Sequence, residues 1–249
     1  MSTHSSQRVR SVSTYRAVFA LVSALLLLLI PTHATAAAAP AQAPQAAQAG
    51  GGTSWDRVVP PWARYAGKTY GQWGAEWTRW ALGIPAPVNP LTDPTGAHCA
   101  VGQSGPVWFL AGTFGSGSAD RTCTIPAGRA LFFPVINGFA AEPPGEFTYE
   151  ELREELRAAI DLDQATYEAT LDGKRLRLSR AFRAASPPPP FALTLPEDNL
   201  FGAPSGLYDA VSDGYWVLLK PLRRGSHVVT FHGTAPGTDV NVRYQLTVN

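Results

Sequence analysis

The chain has 249 residues, with 20 Lys or Arg against 19 Asp or Glu. Three of the basic residues and none of the acidic ones fall within the first 36 positions, so the remainder carries 17 basic and 19 acidic groups, a net charge of −2. A chain this close to neutral has no electrostatic footprint for nucleic acid or an anionic membrane surface, and neither is expected as a partner.

In chain order the first feature is an export leader. Arg8, Arg10 and Arg16 precede an apolar run from Ala17 to Ile30, and Ala34-Thr35-Ala36 supply the small residues of a signal-peptidase site. The run of 14 residues is shorter than the roughly 20 needed to cross a bilayer, so residues 1–36 read as a removed signal peptide that leaves no membrane span. Residues 37–53 are almost wholly Ala, Pro, Gln and Gly, which cannot bury enough surface to offset their ordering entropy, and they read as a linker. A secreted or extracytoplasmic location follows. There the only two cysteines, Cys99 and Cys123, are expected to form a structural disulfide, since the spacing is not that of a C-x-x-C redox pair.

Residues 54–249 then read as one β-rich domain. Lys68 to Leu82 places Tyr70, Trp73, Trp77 and Trp80 at helical spacing, with Thr69 as N-cap and Gly83 and Pro85 as stop signals. Such an aromatic stripe suits a core face, and exposed it would suit stacking on sugar rings. Pro106 to Thr113 and Arg121 to Ile125 read as the arms of a hairpin with a loose Gly115-Ser116-Gly117-Ser118 tip. Thr148 with Glu151 forms a capping box before a second helix whose buried stripe is Leu152, Leu156 and Ile160.

The rest reads as strands. Tyr167 to Leu171 and Lys174 to Leu178 flank Asp172-Gly173, a two-residue turn. Pro187 to Pro190 is an extended stretch that leads into Phe191, Leu193 and Leu195, which alternate as a half-buried strand does. Tyr215 to Lys220, His227 to His232 and the alternating Val240, Val242, Tyr244, Leu246 and Val248 complete the set. Lys174, Arg175, Arg177, Arg180 and Arg183 form a local basic cluster that reads as a solvated sheet edge. The expected fold class is mostly β, an antiparallel sandwich or jelly-roll-like domain with two short helices.

Tyr70 to Leu82 (YGQWGAEWTRWAL), Cys99 to Gly115 (CAVGQSGPVWFLAGTFG), Arg121 to Asn137 (RTCTIPAGRALFFPVIN) and Ser212 to Gly233 (SDGYWVLLKPLRRGSHVVTFHG) together resemble a family of uncharacterised exported bacterial proteins. The resemblance spans nearly all of the expected domain and implies a compact secreted β-rich fold. It carries over no catalytic residue. Family members often have Lys where Arg129 stands and Pro where Arg224 stands, so it assigns neither side chain a role.

Motifs for catalysis are sparse. After the leader only His98, His227 and His232 remain, and His227 and His232 would point to opposite faces of one strand. No metal site is expected from them. Asn89, Thr92, Asp93 and Thr95 are an oxygen-rich loop that fits Asx-turn chemistry around Pro90 and Pro94 better than calcium. No nucleotide-binding glycine pattern or G-x-S-x-G elbow is present, and no cofactor is expected. Glu142, Glu146, Asp209 and Asp213 are the pool from which a paired-carboxylate site could be drawn.

The leading expectation is a secreted, non-catalytic β-sandwich module that binds a carbohydrate or another extracellular or envelope component through exposed aromatics. Trp73, Trp77, Trp108, Tyr215 and Trp216 are the candidate contacts, several of which must be core. Two alternatives stand beside it: an extracellular hydrolase using Glu142 and Asp213 with His98, and a structural surface or matrix protein.

Overall fold

Two helices form where the capping chemistry and the apolar spacing agree. The hydroxyl of Thr69 accepts the backbone N–H of Gln72, whose own amide oxygen accepts the N–H of Thr69, and this capping box opens α1, Tyr70–Leu82. Thr148 and Glu151 make the same reciprocal pair at the start of α2, Tyr149–Ala159. The strands are β1 Val107–Phe109, β2 Gly117–Ile125, β3 Ala130–Glu142, β4 Thr166–Leu171, β5 Lys174–Arg175, β6 Arg183–Ala185, β7 Phe191–Leu195, β8 Gly206–Leu219, β9 Gly225–Ala235 and β10 Thr238–Val248. This computed structural model describes residues 57–249, all within one compact unit. The expected leader (1–36), the linker (37–53) and the first residues of the expected domain lie outside the described residues.

The strands form two five-stranded sheets. The first runs β1-β3-β8-β6, with β7 also on β8, and the second β2-β10-β9-β4-β5. Neighbouring residues of β8 show how they stack: Tyr215 lies against Tyr167 of the second sheet with ring centroids 3.9 Å apart, while Trp216 meets Trp77 of α1 at 5.7 Å. Successive side chains alternate faces, so the first sheet is the middle layer, with the second sheet on one side and α1 on the other. Phe133 on Phe231, at 4.9 Å, adds to the contact between the sheets. α2 packs on β3 and β8 through Leu152 and Leu156, against Ala140 and Val211. Gly138 is what lets it close, because a Cβ there would lie 2.6 Å from Ile160 and 2.7 Å from Leu156.

The architecture is a β-sandwich with two short helices, but the sheets are mixed. β1 runs parallel to β3 and β2 parallel to β10, while the other pairings are antiparallel. The hairpin expected from 106–113 and 121–125 does not form. Its Gly-Ser tip carries the chain from the first sheet to the second, so each arm pairs with a distant strand. Alternation marks a strand but not its partner. The hairpin at Asp172-Gly173 does form, with φ of 51° and 74°, the positive values that a two-residue turn requires.

The sheet edges are covered or blunted. The Gln103 side chain stands in for a strand at β1, accepting the Phe109 N–H at 2.9 Å and donating to its carbonyl at 2.8 Å. Arg79 donates to Ala192 O on β7, and the Thr122 N–H of β2 donates to Thr95 O. β5 is two residues long and exposed. The disulfide between Cys99 and Cys123 ties the loop after α1 to β2. No helix among the described residues is long and apolar enough to cross a membrane.

Candidate functional site

The five candidate aromatic contacts are all in the core, and the expectation of exposed stacking rings is corrected for each. Trp73 (6% exposed), Trp77 (3%), Trp108 (6%), Tyr215 (3%) and Trp216 (0%) are buried. Helical spacing turns the α1 rings toward the sheet, where they meet Phe109, Phe132 and Trp216. Their indole N–H groups are used internally: Trp73 donates to Tyr65 O, Trp77 to Leu110 O and Trp216 to Ala184 O, at 2.9 to 3.0 Å. Among the described residues the aromatic rings that do stand in water are Trp62, 82% exposed, and Phe114, 41% exposed.

The carboxylate pair does not assemble either. Glu142 on β3 faces Asp209 on β8, whereas Asp213 faces Gly138. Four residues of strand, about 13 Å, therefore separate Asp213 from the position opposite Glu142, beyond the roughly 5 to 10 Å that acid/base pairs span. Asp213 is buried and committed to two guanidinium groups, Arg153 at 3.1 Å and Arg183 at 3.0 Å. Burial raises the pKa of Glu142, and the neighbouring Glu155 and Glu146 raise it further. His98 sits beside the disulfide, where its backbone N–H donates to Asp93. The combination of Glu142, Asp213 and His98 is corrected to three separate local environments.

The oxygen-rich loop is satisfied from within. The Asn89 amide donates to Ala81 O and Ile84 O and accepts from Leu91 N, and Asp93 accepts from Thr95 and His98. His227 bonds Asp172 and His232 bonds Asp239. Among the described residues no group of three or more His, Cys, Asp or Glu is placed to hold a metal ion.

What the surface does offer is a groove of about 370 Å³ between α1 and the segment entering β7. One wall is Pro187 to Pro190 with Phe191 and Ala192, and the other is the outer face of α1 with Lys68 just before it. From Tyr70 to Leu82 every residue is buried except Gln72, Glu76 and Arg79. With Lys68 these fall at spacings of 4, 4 and 3, so they share one face of the helix line. Lys68 and Arg79 both reach Glu76, Arg79 at 3.4 Å, and the Arg79 guanidinium lies 4.8 Å over the Phe191 ring. Arg64 donates to Gly67 O and to the Gln72 amide oxygen at 3.4 Å, which places its charge at the rim. Trp62 stands two residues before Arg64, within the turn that Ala63 N closes on Pro60 O. Sequence reasoning passed over this stripe because the aromatic face of the same helix dominates the pattern. The signal that could have found it was a run of long polar side chains, 68, 72, 76 and 79, on an otherwise apolar helix.

A mixed β-sandwich carrying one helix-walled polar groove is the class these features define. No family model matches the chain, and no curated protein is significantly similar to it. The groove itself offers hydrogen-bond donors and acceptors on one wall and proline and aromatic carbon on the other. That mixture suits a ligand with both polar edges and apolar faces.

Proposed function

We propose that this protein is an exported binding module that holds a carbohydrate chain in the groove between α1 and Pro187–Pro190. The observation that carries this reading is the groove's two-sided chemistry. Sugar rings present C–H faces to the proline wall, and their hydroxyls pair with side chains such as Gln72, Glu76 and Arg79. Pro187 to Pro190 line the groove and are assigned as its apolar stacking wall. The N-terminal leader pattern, the disulfide and the resemblance to exported bacterial proteins support action outside the cytoplasm.

The test is binding of the purified mature protein to a panel of polysaccharides by pull-down and calorimetry, with two variants. Ala192→Trp, at an exposed strand position that lines the groove, is expected to block it. Trp62→Ala, an exposed ring that is not among the groove's lining residues, is the control and is expected to bind as wild type does. Binding of Ala192→Trp with wild-type affinity, thermal midpoints being equal, refutes the assignment.

A further inference from the structure

The charges around the groove do not balance. Its ionisable lining is Lys68, Glu76 and Arg79, and Arg64 touches Gln72 at the rim, so among the described residues three cations stand around the groove against a single carboxylate. Lys68 and Arg79 both bond to the same Glu76 oxygen, which leaves Lys68 two further ammonium protons and Arg79 its second amino nitrogen. Among the described residues the acceptors of Arg64 are neutral, Gly67 O and the Gln72 amide. The whole described chain is close to neutral, so this local excess is a property of the groove and not of general basicity.

We propose that the ligand is an acidic polysaccharide, a polymer of uronic-acid residues whose carboxylates are held by Arg64, Lys68 and Arg79 while its ring faces lie against the proline wall. This rests on the groove being the carbohydrate site. A carboxylate is the anion the cations are already spaced to receive, because Glu76 places one between Lys68 and Arg79. Charged hydrogen bonds at a partly desolvated rim add affinity and select against neutral chains, whose hydroxyls leave the cations without a counter-charge.

The experiment measures binding of the mature protein to polygalacturonate, to neutral polysaccharides (a β-glucan and a mannan) and to a polyol-phosphate polymer, from 20 mM to 500 mM salt. Wild type, Arg64→Gln, Lys68→Gln, Glu76→Gln and Ala192→Trp are compared, all with thermal midpoints recorded. The expected result is preference for polygalacturonate, affinity that falls with salt, a loss of about three- to fivefold for Arg64→Gln and for Lys68→Gln, and a gain for Glu76→Gln. Ala192→Trp abolishes binding. Neutral chains bound as tightly as polygalacturonate, with no salt dependence and no gain in Glu76→Gln, overturn the acidic-ligand proposal and leave the groove reading intact. Tighter binding of the phosphate polymer overturns the uronate in favour of phosphate. No binding of any polymer, or binding unaffected by Ala192→Trp, overturns the groove reading and the proposal with it.

Discussion

Tyr70 is the point at which α1, the 57–59 segment and β8 are joined, and removing its hydroxyl tests that junction. The ring is 1% exposed and packs edge-on against Phe132 and Phe182, with centroids 6.0 and 6.1 Å apart. The hydroxyl donates to Val59 O at 2.6 Å and accepts the Leu218 N–H at 3.2 Å, while Val59 N donates to Leu218 O. Burial pushes its pKa up, so the phenol remains neutral and keeps both bonds across the working pH range. Tyr70→Phe keeps the ring and leaves one buried carbonyl and one buried N–H unpaired. Each such group costs about 1 to 3 kcal/mol, and with partial relaxation the sum is about 3 kcal/mol. For a domain of this size that lowers the thermal midpoint by about 6 to 12 °C. Differential scanning calorimetry reads the shift, and Tyr208→Phe is the control, since its hydroxyl donates to Pro204 O at an exposed position. A Tyr70→Phe midpoint within 2 °C of wild type, or an equal loss in the control, would falsify the junction as described.

Replacing Cys99 and Cys123 together by Ser frees a loop with a sequence separation of 24. On the chain-entropy account this costs about 3.5 kcal/mol, or about 1.8 M in the urea midpoint at a slope near 2 kcal/mol/M. A shift below about 0.5 M would show that the loop is held by its packing alone. Asp93 has a folded pKa of about 2: burial raises it, and the hydrogen bonds from His98, Thr95 and Gly96 more than offset that. Its contribution, about 2 kcal/mol, is therefore complete above pH 4 and lost as pH falls through 2. Wild type and Asp93→Asn should differ in urea midpoint at pH 6 and converge at pH 2, and a constant difference contradicts the linkage. Glu142 is shifted the other way, so its ionised form at neutral pH works against the fold. Glu142→Gln is expected to raise the thermal midpoint at pH 7 and to match wild type at pH 4; an equal gain at both values refutes the charge effect.

Much of this molecule was legible in local pattern. The capping residues Thr69 and Thr148, the turn at Asp172-Gly173 and the period-two runs in β7 and β10 are decided by near neighbours, because hydrogen-bond closure and side-chain alternation act over a few residues. The disulfide followed from a count of two cysteines and the expectation of an export leader. What the sequence by itself determined was therefore the inventory: which stretches are helix or strand, and that they must share one core. Pairing was decided by the tertiary structure. β2 lies parallel to β10 across more than a hundred residues of chain, a choice that depends on the fit of whole faces and leaves no short-range mark. The site was decided in the same way. The sequence favours core for the stripe that holds Trp73 and Trp77 but leaves open which of the candidate rings, Trp216 among them, are exposed, and the first sheet buries all three. Lys68, Gln72, Glu76 and Arg79 became a groove wall only because Pro187 to Pro190, over a hundred residues later, closes against them. Periodicity shows that a helix has two faces, and the partner that packs against it decides which one meets water.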